Sequence, residues 1–120
     1  MHTLTHRTPT TFWASASFQE LVDEIVQMKL KLENEGITNV VGYRNPFLQT
    51  AGDTTFQVLL ENDFLYDSTL PVRPERQIWP YTLHEGSASP CVISPCPTSK
   101  SFDILDILAV NFHNQAKFGK

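Results

Sequence analysis

Several features are scarce in this 120-residue chain, and each scarcity argues against a class of protein. Basic residues are outnumbered by acidic ones, 9 against 13, and the resulting net charge of −4 argues against a general nucleic-acid binder. No apolar run approaches the length of about 20 residues that a membrane span requires. The start is polar and bears histidine, so no signal peptide is expected in this chain. With 41% hydrophobic residues, the chain is predicted to form one globular domain.

Cysteine is also scarce, because Cys91 and Cys96 in the segment SPCVISPCPTSK are the only two. A lone C-x4-C pair is a poor zinc site, since structural zinc takes four ligands. Two interpretations remain open, a short-loop disulfide in an oxidising compartment and two free thiols in a cytosolic loop. The prolines around Cys96 indicate a rigid surface loop, which favours the disulfide.

The first half of the chain alternates helix and strand signals. The segment SFQELVDEIVQMKLKLENEG has apolar residues at helical spacing, and it predicts an amphipathic helix capped by Ser15 or Ser17 and closed at Gly36. The β-branched segment ITNVVGYR predicts a buried strand that ends at Arg44. A second helix, TTFQVLLENDF with Asp53 as its cap, and a second strand, FLYDSTL, follow in order.

The second half is less regular. Residues 71–101 are rich in proline and aromatic residues without periodicity, whereas SFDILDILAVNFHNQ predicts a final helix. The order of helices and strands predicts an α/β fold with parallel packing. Because parallel sheets are covered on both faces and usually have many strands, two strands look like part of a larger sheet.

The pair His2 and His6, in the segment HTLTH, is the first candidate site. Two histidines at this spacing are one way to hold a divalent metal ion. The alternative is that both are exposed polar residues in a frayed terminus.

Two charged residues follow predicted strands. Ligands gather at the carboxyl ends of the strands in α/β sheets, where Arg44 and Asp67 are expected. Arg44 would meet an anionic ligand or, alternatively, form a structural salt bridge with a core carboxylate. Asp67 would contribute to the same site or, alternatively, cap a turn with Ser68.

Trp79, in the segment IWPYTL, lies in a loop that proline bounds. Its indole can form a platform on which a sugar stacks, or it can be a local hydrophobic plug. The remaining histidines, His84 and His113, have no partner motif and are expected at the surface.

Several separate motifs occur in the same order as in the chitin deacetylases of animals. HTLTH followed by FW comes first, then VVGYRNPFLQTAGDTTFQVLLENDFLYDSTL, then WPYTL, and then the cysteine pair with CPTS. The chain therefore resembles this group, which belongs to the polysaccharide deacetylases of carbohydrate esterase family four. The resemblance is clear for residues 2–99 and weak for residues 100–120.

The resemblance implies a distorted (β/α) barrel, of which residues 1–120 would be a single incomplete domain. It also implies metal-dependent hydrolysis of the N-acetyl groups of N-acetylglucosamine polymers, with chitin or its oligomers as the partner. The expected cofactor is a divalent metal, zinc above all, which polarises the acetamide carbonyl and acidifies a bound water. Members of the family are secreted, so an extracellular location is expected.

The family motif His-[Ser/Thr]-x-x-His matches His2, Thr3 and His6, which implies that the two histidines hold the metal. Arg-x-Pro-Tyr matches Arg44 and the two residues Pro46 and Phe47. This match implies that Arg44 orients the catalytic base, and that the backbone N–H after the proline helps to hold the oxyanion of the substrate. Phe47 replaces the usual tyrosine, so a hydroxyl contact is lost.

The remaining family residues are matched less closely. Asp67 resembles a catalytic aspartate of the family, and Trp79 resembles the tryptophan that forms a wall of the substrate cleft. Cys91 and Cys96 fall where the secreted enzymes place a cysteine pair, which implies a disulfide with a shorter spacing than usual.

Two parts of the family's machinery have no counterpart in the sequence. The adjacent aspartates that precede the histidine pair are missing, and no Leu-x-His, whose histidine is the general acid, follows the other motifs. Each lost proton-transfer group typically costs roughly 10²–10⁴-fold in rate. The chain is therefore expected to be inactive alone, and the alternative is a non-catalytic chitin-binding remnant of the same family.

Overall fold

The structure is a computed structural model, and it describes residues 1–73, 75–76, 78–85, 91–99, 102, 104–106 and 109–110. Its helices are α1 (Thr10–Ser15), α2 (Phe18–Asn34) and α3 (Asp53–Glu61). Its strands are β1 (Gly42–Tyr43), β2 (Tyr66–Asp67), β3 (Pro71–Val72), β4 (Tyr81–Thr82), β5 (Leu105–Asp106) and β6 (Ala109–Val110). None of the helices in these ranges is long and apolar enough to cross a membrane.

The strands form one larger and one smaller sheet. The larger sheet has the order β1-β2-β5-β4, in which the first three strands are parallel and β4 is antiparallel to β5. Strands β3 and β6 form a separate parallel pair. The prediction of an α/β chain with parallel strands is thus confirmed, while the described strands are short and do not show a barrel.

Helix α2 follows the predicted pattern closely. Ser17 is its cap, because the Ser17 side chain accepts from the Glu20 backbone while the Glu20 side chain accepts from the Ser17 backbone. Leu21 and Ile25, one turn apart, are fully buried. Of the two serines predicted as caps, the structure therefore selects Ser17.

Two features of the helices differ from the predictions. Helix α1 was not predicted, and its buried residue Trp13 gives it a place in the core. Asp53 is wrong as a cap, since Gly52 occupies that position with a φ of 62° that favours glycine. The Asp53 side chain instead accepts hydrogen bonds from the backbone N–H groups of Thr98 and Ser99.

The predicted final helix is wrong in its described part, where the chain forms β5 and β6. Phe102 and Ile104 are both buried, and their spacing of two residues is the period of a strand. The backbone of β5 finds partners on both sides, in β2 and in β4, which favours an extended chain over a helix. Residues 111–115 of that prediction, and with them His113, lie outside the described residues.

The core joins the helices to strand β1 of the larger sheet. Its largest fully buried side chains are Trp13, Tyr43, Phe56, Phe64, Leu21 and Ile25. Because Tyr43 lies in β1 and the others lie in or beside helices, the core fixes β1 against the helical layer. The residues that follow β1 are thereby fixed in space.

Candidate functional site

His2 and His6 lie together at the surface, with their ring centroids 5.4 Å apart and the ring planes nearly perpendicular. Two rings that share a tetrahedral ion through Zn–N bonds of about 2.0–2.1 Å have their centroids roughly 5 Å apart. The spacing therefore fits a shared ion. A frayed terminus does not describe this segment, because several hydrogen bonds hold it against β1 and α2.

The orientation of the His2 ring is set by a residue that follows β1. The Nδ1 atom of His2 lies 2.9 Å from the backbone oxygen of Arg44. Since a carbonyl oxygen only accepts, Nδ1 carries the proton and Nε2 keeps its lone pair for a ligand. Burial lowers the pKa of His2, and the nearby His6 and Arg44 lower it further, against the hydrogen bond, which raises it.

Arg44 is held at the carboxyl end of the parallel strands. The pairing of Tyr43 with Asp67 brings the next residues, Arg44 and Ser68, side by side. The Arg44 guanidinium donates to Ser68 twice, from Nε to the backbone oxygen at 2.9 Å and from Nη2 to Oγ at 2.8 Å. Within the described ranges Arg44 forms no salt bridge, so these contacts do not support the alternative of a structural ion pair.

Asp67 is fully buried and faces a turn. Its carboxylate accepts from the backbone N–H of Thr69 at 2.8 Å and from the Thr69 hydroxyl at 2.6 Å. Desolvation by burial raises the pKa of Asp67 to about 6, although these hydrogen bonds and the charge of Arg44 act in the opposite direction. This geometry fits the predicted turn cap, with Thr69 in the place expected for Ser68.

A turn with unusual backbone geometry follows Arg44. Pro46, Phe47 and Leu48 form a 3-10 turn in which the last two residues have φ values of 59° and 56°. The Phe47 ring lies 5.2 Å from the ring of His6, whose own φ is 48°. Non-glycine residues in this region are strained, and strain of this kind clusters at functional sites.

Two of the predicted site residues, His2 and Arg44, line a cavity of about 270 Å³. It is lined by Met1, His2, Gly42, Tyr43, Arg44, Tyr66 and Ser68. Any side chain at position 42 would overlap the Tyr66 ring, so glycine is what allows this ring to lie against β1. The cavity is slightly smaller than the roughly 300–1,000 Å³ that is typical of ligand pockets.

Trp79 and the cysteine pair lie apart from the histidines. The Trp79 side chain is 87% exposed, and no ring contact or hydrogen bond in the described part of the chain joins it to His2, His6 or Arg44. The exposure argues against a hydrophobic plug. Cys91 and Cys96 are joined in a disulfide. His84 is exposed, as expected of a surface histidine.

The disulfide loop packs on the segment that follows the 3-10 turn. The Thr50 hydroxyl donates to the backbone oxygen of Pro95 at 2.8 Å, and the Gln49 amide donates to that of Ser94 at the same distance. The loop thus supports the chain between the turn and α3.

Sequence reasoning missed one residue near the histidines, Glu24. This side chain is only 3% exposed, and it accepts hydrogen bonds from Thr5 and Arg7. The signal for it was available, because Glu24 lies between Leu21 and Ile25 on the apolar face of α2. A carboxylate at such a position requires hydrogen-bond donors.

The described residues supply only part of a metal site. No group of three or more His, Cys, Asp or Glu side chains within the described ranges could hold an ion. The histidine pair fits two positions of a tetrahedral site, which needs further ligands. Between the histidines, the Thr3 hydroxyl is buried and has no hydrogen-bond partner among the described residues.

Comparisons with known proteins agree with the resemblance seen in the motifs. The chain is 43% identical over 104 residues to chitin deacetylase 8 of Bombyx mori and 32% identical over 105 residues to chitin deacetylase 1 of the same species. Each match covers 82% of this chain. No family model matches the chain.

The matches confirm that this chain is homologous to animal chitin deacetylases over most of its length. The chain spans 27% and 19% of the lengths of these two relatives. Both relatives are named as chitin deacetylases, so the similarity is to that family.

Proposed function

We propose that this chain is part of a chitin deacetylase, in which His2 and His6 hold a catalytic divalent metal, expected to be zinc. One observation carries the proposal. The two rings lie 5.4 Å apart, and His2 is turned by its hydrogen bond to the Arg44 backbone so that Nε2 is left for a metal. This is the arrangement of a ligating histidine whose other nitrogen is held by a carbonyl oxygen.

The bound metal would polarise the acetamide carbonyl of an N-acetylglucosamine unit and make a bound water more acidic. The residues of this chain contribute orientation and charge. Arg44, fixed by Ser68, places a guanidinium beside the cavity, where it can orient a catalytic carboxylate. The turn at Pro46 and Phe47 lies against His6, so that the backbone N–H of Phe47 can help to stabilise an oxyanion.

In this proposal Asp67 does not contact the substrate but supports the turn after Arg44. Its buried carboxylate holds Thr69, and the Thr69 hydroxyl in turn accepts from the backbone N–H of Asn45 at 2.9 Å. Asn45 separates Arg44 from Pro46. Asp67 thereby supports the turn that carries the Arg-x-Pro motif.

We further propose that the chain by itself does not turn over substrate. The 120 residues contain no pair of adjacent aspartates, and no Leu-x-His follows the other motifs. Without a general base and a general acid, the proton transfers of amide hydrolysis have no agents. Zinc-dependent release of acetate from chitin oligomers by the purified chain would contradict this part of the proposal.

The metal site is tested by titrating the purified chain with Zn²⁺ in a calorimeter. We expect one site, lost in His2→Ala and in His6→Ala. The matched control is His84→Ala, because His84 is also exposed but lies outside the pair. Equal affinity in all four proteins would show that zinc binds elsewhere or without specificity, and would overturn the assignment of the ligands.

A second candidate function, non-catalytic chitin binding, is favoured by the exposure of Trp79. The chain has two tryptophans, of which Trp13 is fully buried and Trp79 is 87% exposed. A sugar stacked on Trp79 would therefore change the fluorescence of this exposed indole and protect it from a soluble quencher, whereas the buried Trp13 would be unaffected. We expect Trp79→Ala to abolish this response to chitin oligomers while leaving zinc binding unchanged. An unaltered response would exclude Trp79 as the platform.

The barrel and the location belong to the same proposal. Parallel strands β1, β2 and β5 are compatible with one sector of a deacetylase barrel in the larger protein. The disulfide between Cys91 and Cys96 supports an extracellular location, since disulfides persist in oxidising compartments. Mass spectrometry of the protein from its native source, with and without reduction, tests the second point.

A further inference from the structure

Glu24 accepts four hydrogen bonds from residues 2–7, which we call the histidine segment. Its carboxylate accepts from the backbone N–H of Thr5 at 2.9 Å and from the Thr5 hydroxyl at 2.7 Å. It also accepts from the Arg7 guanidinium at 3.0 Å. Its own backbone oxygen accepts from the N–H of Leu4 at 2.9 Å. One residue of α2 thus holds three residues that lie between the two histidines or directly after them.

Arg7, which donates to Glu24, is itself held by two aromatic residues of α1. The Arg7 guanidinium lies 4.1 Å from the centroid of the Phe12 ring, and its backbone oxygen accepts from the indole N–H of Trp13 at 2.8 Å. Trp13 is part of the core. Arg7 is therefore held by contacts with Phe12 and Trp13 as well as with Glu24, although its side chain is 49% exposed.

The histidine segment needs such a support because its conformation is not one that a free chain adopts. His6 has a φ of 48°, and its ring contacts both His2 and Phe47. A non-glycine residue in this region persists only where the surroundings determine it. Glu24 accepts hydrogen bonds from Thr5 and Arg7, the residues on both sides of His6, and these bonds hold His6 in this conformation.

We propose that Glu24 is the positioning residue of the histidine pair, and that it sets the distance between the two imidazoles through Thr5 and Arg7. The function of this arrangement rests on the metal site proposed above. A carboxylate is required at position 24, because it accepts from all three donors at once. Glutamine has one acceptor oxygen in place of two, and its amide group would face a donor.

Two measurements test this role, and the first needs no metal. In the metal-free chain, nuclear Overhauser effects between the rings of His6 and Phe47 report the position of His6. We expect them in the wild type and not in Glu24→Gln. The second measurement is the affinity for Zn²⁺, which we expect to fall about 10–100-fold in Glu24→Gln, as is typical when a partner of a ligating residue is removed.

Further variants separate positioning from stability. Thr5 is exposed, so that Thr5→Ala removes one donor to Glu24 without opening the core, and Thr5→Ser retains the hydroxyl. We expect Thr5→Ala to weaken Zn²⁺ binding and Thr5→Ser to restore it. The matched control is Ser17→Ala, which removes the cap of α2 and lowers stability while leaving the hydrogen bonds of Glu24 in place.

The outcomes distinguish this inference from the proposed function. If the wild type binds no Zn²⁺, the metal site is wrong, while the ring contacts in the metal-free chain still decide the role of Glu24. Unchanged ring contacts and affinity in Glu24→Gln would overturn the inference, as would an equal loss of affinity in Ser17→Ala. If Glu24→Gln does not fold, the comparison of Thr5→Ala with Thr5→Ser decides, and equal behaviour of the two counts against the role.

Discussion

The Nδ1 atom of His2 donates a hydrogen bond of 2.9 Å to the backbone oxygen of Arg44, a residue 42 positions further along the chain. Two backbone bonds flank it, from the Met1 nitrogen to the Gly42 oxygen and from the Arg44 nitrogen to the Met1 oxygen. The backbone of Met1 and the side chain of His2 are therefore both hydrogen-bonded to the edge of β1 and the residue that follows it. The orientation of a candidate metal ligand is thus decided by the sheet.

The first prediction concerns the tautomer of His2. We expect the neutral ring to carry its proton on Nδ1, because the carbonyl oxygen of Arg44 can only accept. Since burial lowers the pKa of His2, the ring should become neutral at a lower pH than the unperturbed value of about 6.5. Long-range ¹H–¹⁵N spectra recorded as a function of pH measure both properties. A proton on Nε2 would contradict the hydrogen bond and remove its support for the metal site.

The second prediction concerns Thr3, whose hydroxyl is buried without a partner among the described residues. Thr3→Val replaces this hydroxyl with a methyl group of similar size, so we expect the free energy of unfolding to stay unchanged or to rise by about 1 kcal/mol. The matched control is Thr55→Val. Thr55 is also buried, but its hydroxyl accepts from the backbone N–H of Ala51 at 2.8 Å, so the loss of the hydroxyl should cost about 1–3 kcal/mol.

Urea unfolding of the wild type and the two valine variants provides the comparison. A large loss of stability in Thr3→Val would show that its hydroxyl has a partner in solution. That result would point to an ordered water or to a further group beside the histidines.

The third prediction concerns the pH dependence that Asp67 gives to stability. Its pKa is raised to about 6 in the folded chain, from an ordinary value near 3.8, so the folded state binds the proton more tightly than the unfolded state. The free energy of unfolding should therefore fall as the pH rises from about 4 to about 6, by about 2–3 kcal/mol from this group alone. In Asp67→Asn, this contribution should be absent.

The difference between the two unfolding curves isolates Asp67 from other groups. His2 acts in the opposite direction, because a lowered histidine pKa makes stability rise as the pH increases towards its unfolded value. This effect is common to the wild type and the variant, and it cancels in the difference. Parallel pH profiles for the two proteins would show that Asp67 is not buried as a proton-binding group.

The fourth prediction concerns the disulfide between Cys91 and Cys96. The disulfide lowers the conformational entropy of the unfolded chain, by a modest amount because the loop is short. Replacing both cysteines with serine should therefore lower the free energy of unfolding by about 2 kcal/mol. A reductant should lower the stability of the wild type by a similar amount and leave the double variant unchanged. Equal stability of the oxidised wild type and the variant would show that the bond contributes nothing to the fold.

The local sequence predicted an element correctly where its apolar spacing and caps fit either a helix or a strand, but not both. Helix α2 is a case of this kind, because the spacing of Leu21 and Ile25 and the capping box at Ser17 all indicate a helix. The segment at Phe102 and Ile104 is a contrary case, since its apolar residues fit the period of a helix and that of a strand. Its strand partners, β2 and β4, come from distant parts of the chain and gave no local signal.

The sequence by itself determined the site's residue types, the helix α2, and the order of motifs that relates the chain to chitin deacetylases. The tertiary structure decided which of these residues meet. It placed Arg44 beside Ser68 and His2, buried Asp67 in a turn, and left Trp79 apart in solvent. The physical reason is that a contact between residues 42 positions apart depends on sheet register and core packing, which the spacing within a motif does not contain.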